Sequence, residues 1–60
     1  MAKWIICTTE ANHKMYVEKI IDKKDAFYHY GFNKQLAKKF TKQEADEIIK
    51  LKPTLEKEKY

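Results

Sequence analysis

Apolar and polar side chains alternate along the first half of the chain with the two-residue period of β-strands. Residues 3–9 form the first such run and residues 14–21 the second, with residues 10–13 between them as a hairpin loop. A polar loop over residues 22–25 leads to a third run at residues 26–32. The pattern therefore predicts three strands of an antiparallel sheet.

Alternation also assigns each side chain of these strands to a face. In the second strand, Val17 and Ile20 fall on opposite faces, and Tyr16 lies with Ile20. In the third strand, Phe27 and His29 share one face, and the other face carries Ala26, Tyr28, Tyr30 and Phe32.

The clearest local signal is a helix start. Thr41 and Glu44 have the spacing of a capping box, in which each side chain bonds the backbone amide of the other residue. Phe40 and Ala45 occupy the positions of a hydrophobic staple around the cap. Apolar residues then recur at helical spacing until Pro53 ends the helix.

Two segments are less regular. Residues 33–40 fit either a short helical turn that starts at Asn33 or a short fourth strand, and we favour a strand or extended link. A helix pair would suggest a helix-turn-helix, but the expected glycine-containing turn is absent from the sequence. Residues 54–60 are mostly charged, which predicts a frayed tail after a single domain at residues 1–53.

The predicted fold is therefore α+β: a small antiparallel sheet of three or four strands with one C-terminal helix packed on one face. Sixty residues provide one small core. Cys7 is the only cysteine, so no disulfide can form within the monomer, and we expect a reducing cytoplasm. We also expect neither a transmembrane segment nor a secretory signal, because the apolar runs are too short.

Charge is distributed unevenly along the chain. The formal net charge is +4, and all thirteen basic residues are lysines. Lys34, Lys38, Lys39 and Lys42 lie in a segment without any acidic residue, so a modest basic patch is expected there. The absence of arginine argues against bidentate reading of guanine or phosphate.

A hairpin followed by a capped helix start is also a recognisable combination. The chain has Trp4-Ile5-Ile6 near its start and Ala37-Lys38-Lys39-Phe40-Thr41 ahead of Glu44-Ala45 and Ile48-Ile49. In this it resembles small phage-encoded proteins of Gram-positive hosts, which have a hairpin followed by an Ala-x-x-Phe-Thr-x-x-Glu-Ala helix start. The resemblance implies a protein that binds and redirects a host protein, and it supplies no catalytic residues.

Little in the sequence suggests catalysis. Cys7, His13 and His29 are the only candidates for a nucleophile, a general base or a soft metal ligand, and they lack the paired spacing of a zinc site. A phosphate-binding loop needs several glycines, and Gly31 is the only one. We therefore predict no enzyme activity, no catalytic or metal-ligating residues and no cofactor.

The aromatic residues of the strands are the strongest functional signal. One helix covers only one face of a sheet, so some rings should stay exposed and form a contact site. The predicted partner-binding residues are Tyr16, Tyr28, Tyr30 and Phe32, with Lys38, Lys39 and Lys42 as a rim. The opposing interpretation places these tyrosines in the core beneath the helix.

We therefore predict a non-catalytic protein that docks on a host protein in the host cytoplasm. An open edge strand could also recruit a second copy and form a homodimer. The alternative function is weak, sequence-tolerant binding of single-stranded nucleic acid, with the rings as stacking platforms and the lysines along the backbone.

Overall fold

The computed structural model describes residues 3–60. It contains a four-stranded antiparallel sheet with the strand order β3-β2-β1-β4. The elements in chain order are β1 (Trp4–Glu10), β2 (His13–Asp22), β3 (Phe27–Gly31), a 3-10 helix (Lys34–Leu36), α1 (Lys42–Leu51) and β4 (Glu56–Lys59). The predicted α+β class, with an antiparallel sheet and one packed helix, is confirmed.

The C-terminal residues form a strand, so the prediction of a frayed tail over residues 54–60 was wrong. β4 pairs antiparallel with β1, with Ile5 opposite Glu58 and Cys7 opposite Glu56. Leu55 is only 2% exposed and holds the start of β4 against the core. A charged sequence can form this strand because backbone hydrogen bonds and one buried leucine fix it, while its charged side chains lie along a sheet edge.

Residues 33–40 combine both of the predicted alternatives. Asn33 caps the 3-10 helix by accepting a hydrogen bond from the Gln35 amide at 2.9 Å. Residues 37–40, which we call the wedge segment, are then extended. Phe40 exchanges two backbone hydrogen bonds with Trp4, of 2.7 and 2.8 Å, and the Lys38 amide donates to the Val17 carbonyl at 2.9 Å. The wedge segment thus lies between β1 and β2 where those strands diverge.

Both faces of the sheet carry buried side chains. The helix face, on which α1 packs, holds the larger cluster: Ile6, Val17, Tyr28, Phe40, Ala45, Ile48 and Leu55. The opposite face holds a smaller cluster of Ile5, Cys7, Tyr16 and Ala37. Alternation along β1 divides its apolar residues between the two clusters. The helix packs on one face, as predicted, and side chains of the other face are also buried because the wedge segment contributes Ala37 there.

Two β-bulges in β2 change the predicted faces. Val17 pairs with Tyr30 and Lys19 with His29, which leaves Glu18 as an extra residue. A second irregularity leaves Ile21 unpaired between Ile20 and Asp22. Because a bulge shifts every following side chain to the other face, Ile20 packs against the same cluster as Val17. Strict alternation had placed Val17 and Ile20 on opposite faces, so that assignment was wrong.

The helix start agrees with the sequence. Thr41 Oγ1 accepts a hydrogen bond from the Glu44 amide at 3.2 Å, and Glu44 Oε1 accepts one from the Thr41 amide at 3.0 Å. These bonds hold the pKa of Glu44 below its ordinary value. Phe40 and Ala45 are buried in one cluster, and the helix ends two residues before Pro53. The capping box is therefore confirmed.

Leu55 should be essential to the stability of the domain. We expect Leu55→Ala to lower the free energy of unfolding by about 2–4 kcal/mol, because it removes buried methyl groups and leaves a cavity beneath the helix. Urea denaturation followed by circular dichroism measures this change. Leu51→Ala is the matched control: Leu51 is exposed, and its truncation should cost less than about 0.5 kcal/mol. Equal losses in the two variants would mean that residues after Pro53 do not stabilise the fold.

Candidate functional site

The two edges of the sheet differ in composition. β4, at one edge, reads Glu-Lys-Glu-Lys, and charged side chains of this kind protect an edge from further strand pairing. β3, at the other edge, reads Phe-Tyr-His-Tyr-Gly and contains no lysine, carboxylate or proline. Of the two edges, β3 is therefore the one suited to receiving another strand.

Backbone geometry identifies which groups of β3 point outward. The Val17 carbonyl bonds Lys38 on the β1 side of β2, so the backbone of Val17 is turned away from β3. Val17 and Tyr30 therefore form a pair without mutual hydrogen bonds, in which the N–H and C=O of Tyr30 point to the outer edge. Tyr28 lies two residues earlier in β3 and has the same orientation. No strand within residues 3–60 pairs with this side of β3.

Neither helix shields this edge. α1 packs chiefly over β1 and β4, and the 3-10 helix packs against β2. Phe27, at the start of β3, is 60% exposed, and Phe32, just beyond its end, is 70% exposed. Two aromatic side chains therefore flank an open row of backbone donors and acceptors.

Tyr28 belongs to the core. It is 6% exposed on the helix face, with its ring edge-to-face with Tyr30 at 6.3 Å between centroids. Burial raises the pKa of its hydroxyl, and that hydroxyl has no hydrogen-bond partner within the described residues. The prediction that the Tyr28 ring contacts a partner is wrong, because the ring packs beneath the wedge segment and helix.

The other predicted rings lie apart from one another. Tyr16 is buried in the cluster on the opposite face, so it is not an exposed anchor either. Tyr30 is half-buried on the helix face, where its hydroxyl accepts a hydrogen bond from Lys52 Nζ at 3.3 Å. Phe32 stands edge-to-face with His13 at 6.2 Å. The predicted aromatic face is thus not a single surface, and Phe32 is the one ring of the four predicted rings that is exposed.

Sequence reasoning missed Phe27 and Ile21 as exposed apolar residues. Both lie near the β2–β3 turn, where Phe27 pairs with Asp22 and Ile21 is the extra residue of the second bulge. Alternation alone could not show that Ile21 is displaced, because the bulge depends on the pairing of two strands. The absence of charge from β3 was the available signal, since it marks an edge without protection.

The predicted lysine rim is divided. Lys38 and Lys42 are exposed, at the wedge segment and the first residue of α1. Lys39 is partly buried: its Nζ donates to the Ala37 carbonyl at 2.8 Å and lies 4.2 Å from the centre of the Tyr60 ring. Lys39 therefore has a structural role, and its ammonium group is held against its own chain.

Glu58 forms two ion pairs on the sheet face opposite the helix. Its carboxylate accepts hydrogen bonds from Lys14 at 2.8 Å and Lys34 at 3.2 Å, which joins β4 to β2 and to the 3-10 helix. These bonds hold the pKa of Glu58 below its ordinary value. Two lysines of the chain thus share one carboxylate of the strand that was expected to fray.

One cleft of about 390 Å³ opens on the helix face beside the end of α1. Its lining residues are Thr8, Thr9, Glu10, Met15, Tyr30, Lys52, Thr54 and Leu55. Among residues 3–60, no three His, Cys, Asp or Glu side chains converge as a metal site would require. Across the same residues, no helix is long and apolar enough to cross a membrane.

Comparison of the chain with protein-family models, curated proteins and solved structures found no match.

The unpartnered hydroxyl of Tyr28 should destabilise the fold. We expect Tyr28→Phe to raise the free energy of unfolding by about 1 kcal/mol, because it removes a buried polar group that has no partner. Tyr30→Phe is the matched control and should lower stability slightly, since it removes the acceptor of Lys52. Urea melts of the two variants provide the measurement. A loss of stability in Tyr28→Phe would contradict the core assignment of this hydroxyl.

Glu58 should make the stability of the fold depend on pH in the acidic range. Its folded-state pKa is depressed, so its contribution is present above the unfolded pKa and disappears as the pH falls through the folded pKa. We expect wild type to be more stable than Glu58→Gln near neutral pH. The difference in their free energies of unfolding should shrink as the pH falls below about 4. Urea melts across this range test the expectation. Glu47→Gln, whose carboxylate makes no ion pair within residues 3–60, is the matched control and should change the stability near neutral pH less than Glu58→Gln does.

Proposed function

We propose that this chain is a non-catalytic binding protein that docks on another protein through the outer edge of β3. The observation that carries the proposal is the uncharged, unpaired edge strand with outward backbone groups at Tyr28 and Tyr30. A partner segment in extended conformation adds to such an edge by backbone hydrogen bonds. Phe27 and Phe32 at the two ends then supply apolar anchors.

The partner that we propose is a host protein in the host cytoplasm, with this chain encoded by a phage. The support for the phage origin is the resemblance of the hairpin and capped helix start to small phage-encoded proteins of Gram-positive hosts. Such a protein modulates its target by occupying a surface. It needs no catalytic group, which agrees with the scattered positions of Cys7, His13 and His29 in the sequence.

Nucleic-acid binding remains the second candidate, and the distribution of charge disfavours it. A binder of single strands combines stacking rings with a positive groove along the backbone. Here Lys34 is paired with Glu58 and Lys39 bonds the backbone of its own segment. The exposed Phe27 belongs to a strand without any lysine. A protein surface therefore suits this edge better than a phosphate backbone does.

The open edge can also receive a second copy of the chain, so the proposal includes a homodimer as a state of the free protein. A small domain of 60 residues gains buried area from such pairing.

The exposed rings beside β3 should control partner binding. We expect Phe27→Ser with Phe32→Ser to abolish capture of the partner from host lysate, because the two rings are the apolar anchors of the edge. Quantitative affinity capture at low and high salt, with and without nuclease, measures the loss. Binding by wild type should persist at high salt and after nuclease treatment, as expected for a protein interface.

Two control variants make this test specific. Leu36→Ser with Leu51→Ser removes two other exposed apolar side chains away from β3 and should leave capture intact. Lys38→Gln with Lys42→Gln removes exposed charge and should change capture only modestly. Circular dichroism must first show that each variant folds. If the lysine variant loses binding, and the wild-type capture disappears after nuclease treatment, the nucleic-acid function replaces the one proposed.

A further inference from the structure

We propose that two copies of this chain pair β3 with β3 in antiparallel orientation about a two-fold axis at His29. This inference rests on the same open edge as the proposed function and specifies how the edge is occupied when no other partner is bound. The resulting sheet has eight strands, with one β3–β3 junction at its centre.

The sequence of β3 is symmetric about His29. Tyr28 and Tyr30 flank it, and both have backbone groups that point to the outer edge. With His29 opposite the partner copy's His29, each Tyr28 lies opposite a Tyr30 of the other copy. Such a pair of outward residues exchanges both of its N–H···O bonds. The backbone of His29 points inward to β2, so the two histidines form the non-hydrogen-bonded pair on the axis.

The side chains fit the same register. Phe27 lies opposite Gly31 of the other copy, where the place of the missing side chain is taken by a carboxylate from β2 that the ring must displace. The Glu18 carboxylate lies over Gly31 in each copy, and it is the far end of a flexible side chain that can move aside. Exposed Phe27 is thereby covered at both ends of the junction.

Charged side chains of β3 do not oppose self-pairing at this edge. The chain has a net charge of +4, so two copies repel one another in general. β3 carries no lysine or carboxylate, so its pairing brings no charged side chains of β3 face to face. At β4, Lys57 and Glu58 already form ion pairs within their own chain.

Self-pairing also regulates the proposed function. The dimer occupies the backbone groups of Tyr28 and Tyr30, which a partner strand needs, so each chain is either paired with its copy or bound to its partner. Dilution then favours the binding-competent monomer. The edge is protected from unspecific strand addition while the partner is absent.

A disulfide trap tests the register. In a Cys7→Ala background, His29→Cys places two thiols across the axis, where the Cα atoms of a non-hydrogen-bonded pair are about 4.5 Å apart, within disulfide range. Phe27→Cys is the matched control on the same strand and face. In the proposed register its two copies are offset by about four residues, or ~14 Å, too far to be bridged.

Diamide oxidation, followed by non-reducing electrophoresis, gives the rate of crosslinking for each variant. We expect the His29 variant to form covalent dimers at least ~10-fold faster than the Phe27 variant, because only one pair of thiols is opposed. Sedimentation equilibrium of the unmodified chain should show its average mass rising from monomer to dimer with concentration. Equal crosslinking rates, or a chain that remains monomeric at every concentration, would overturn the inference.

The test of the dimer and the test of the proposed function can give different results. If the chain is monomeric but the rings of Phe27 and Phe32 still govern partner capture, the dimer is wrong and the binding edge stands. If the dimer forms and the ring variant captures its partner normally, the dimer stands and the partner binds elsewhere.

Discussion

The structure depends on the separation of β1 from β2 by the wedge segment. The two strands are paired near their hairpin, and beyond Cys7 and Tyr16 they diverge. Diverging strands leave backbone groups without partners, and buried backbone groups must be paired. Backbone bonds from Phe40 to Trp4 and from Lys38 to Val17 satisfy them. Without the wedge segment, the open hairpin would lose backbone hydrogen bonds and Phe40 would leave the core.

The position of the wedge segment between β1 and β2 explains how so short a chain buries side chains on both faces of the sheet. Alternation in the wedge segment directs Phe40 to the helix face and Ala37 to the opposite face, so one extended stretch contributes to both clusters. The helix then needs to cover only the larger cluster. Tyr16 and Tyr28 are buried on the two faces, so the exposed rings of this region, Phe27 and Phe32, lie at the two ends of β3.

Local rules predicted much of this fold. The three first strands, the capping box at Thr41 and the helix stop before Pro53 all follow from neighbouring residues. The predictions that were wrong depend on contacts between residues that are distant in sequence. β4 becomes a strand because β1 offers an unpaired edge and Leu55 fills the core, and neither cause is visible in a charged tail. The bulge at Glu18 depends on pairing with β3. For the same reason the site was only partly predictable: Phe32 is exposed as expected, whereas the position of Tyr28 depends on packing.

The two edges of the sheet differ in how they are protected from further strand pairing, and the proposed function rests on this difference. Both are open within residues 3–60, and a small sheet with two open edges risks unspecific association. The chain protects the β4 edge with alternating Glu and Lys, whose members also form ion pairs with Lys14, Lys34 and Asp46. The β3 edge has no equivalent protection, although a single lysine at His29 would supply it. The proposed pairing with another strand rests on this unprotected aromatic edge of an otherwise lysine-rich surface.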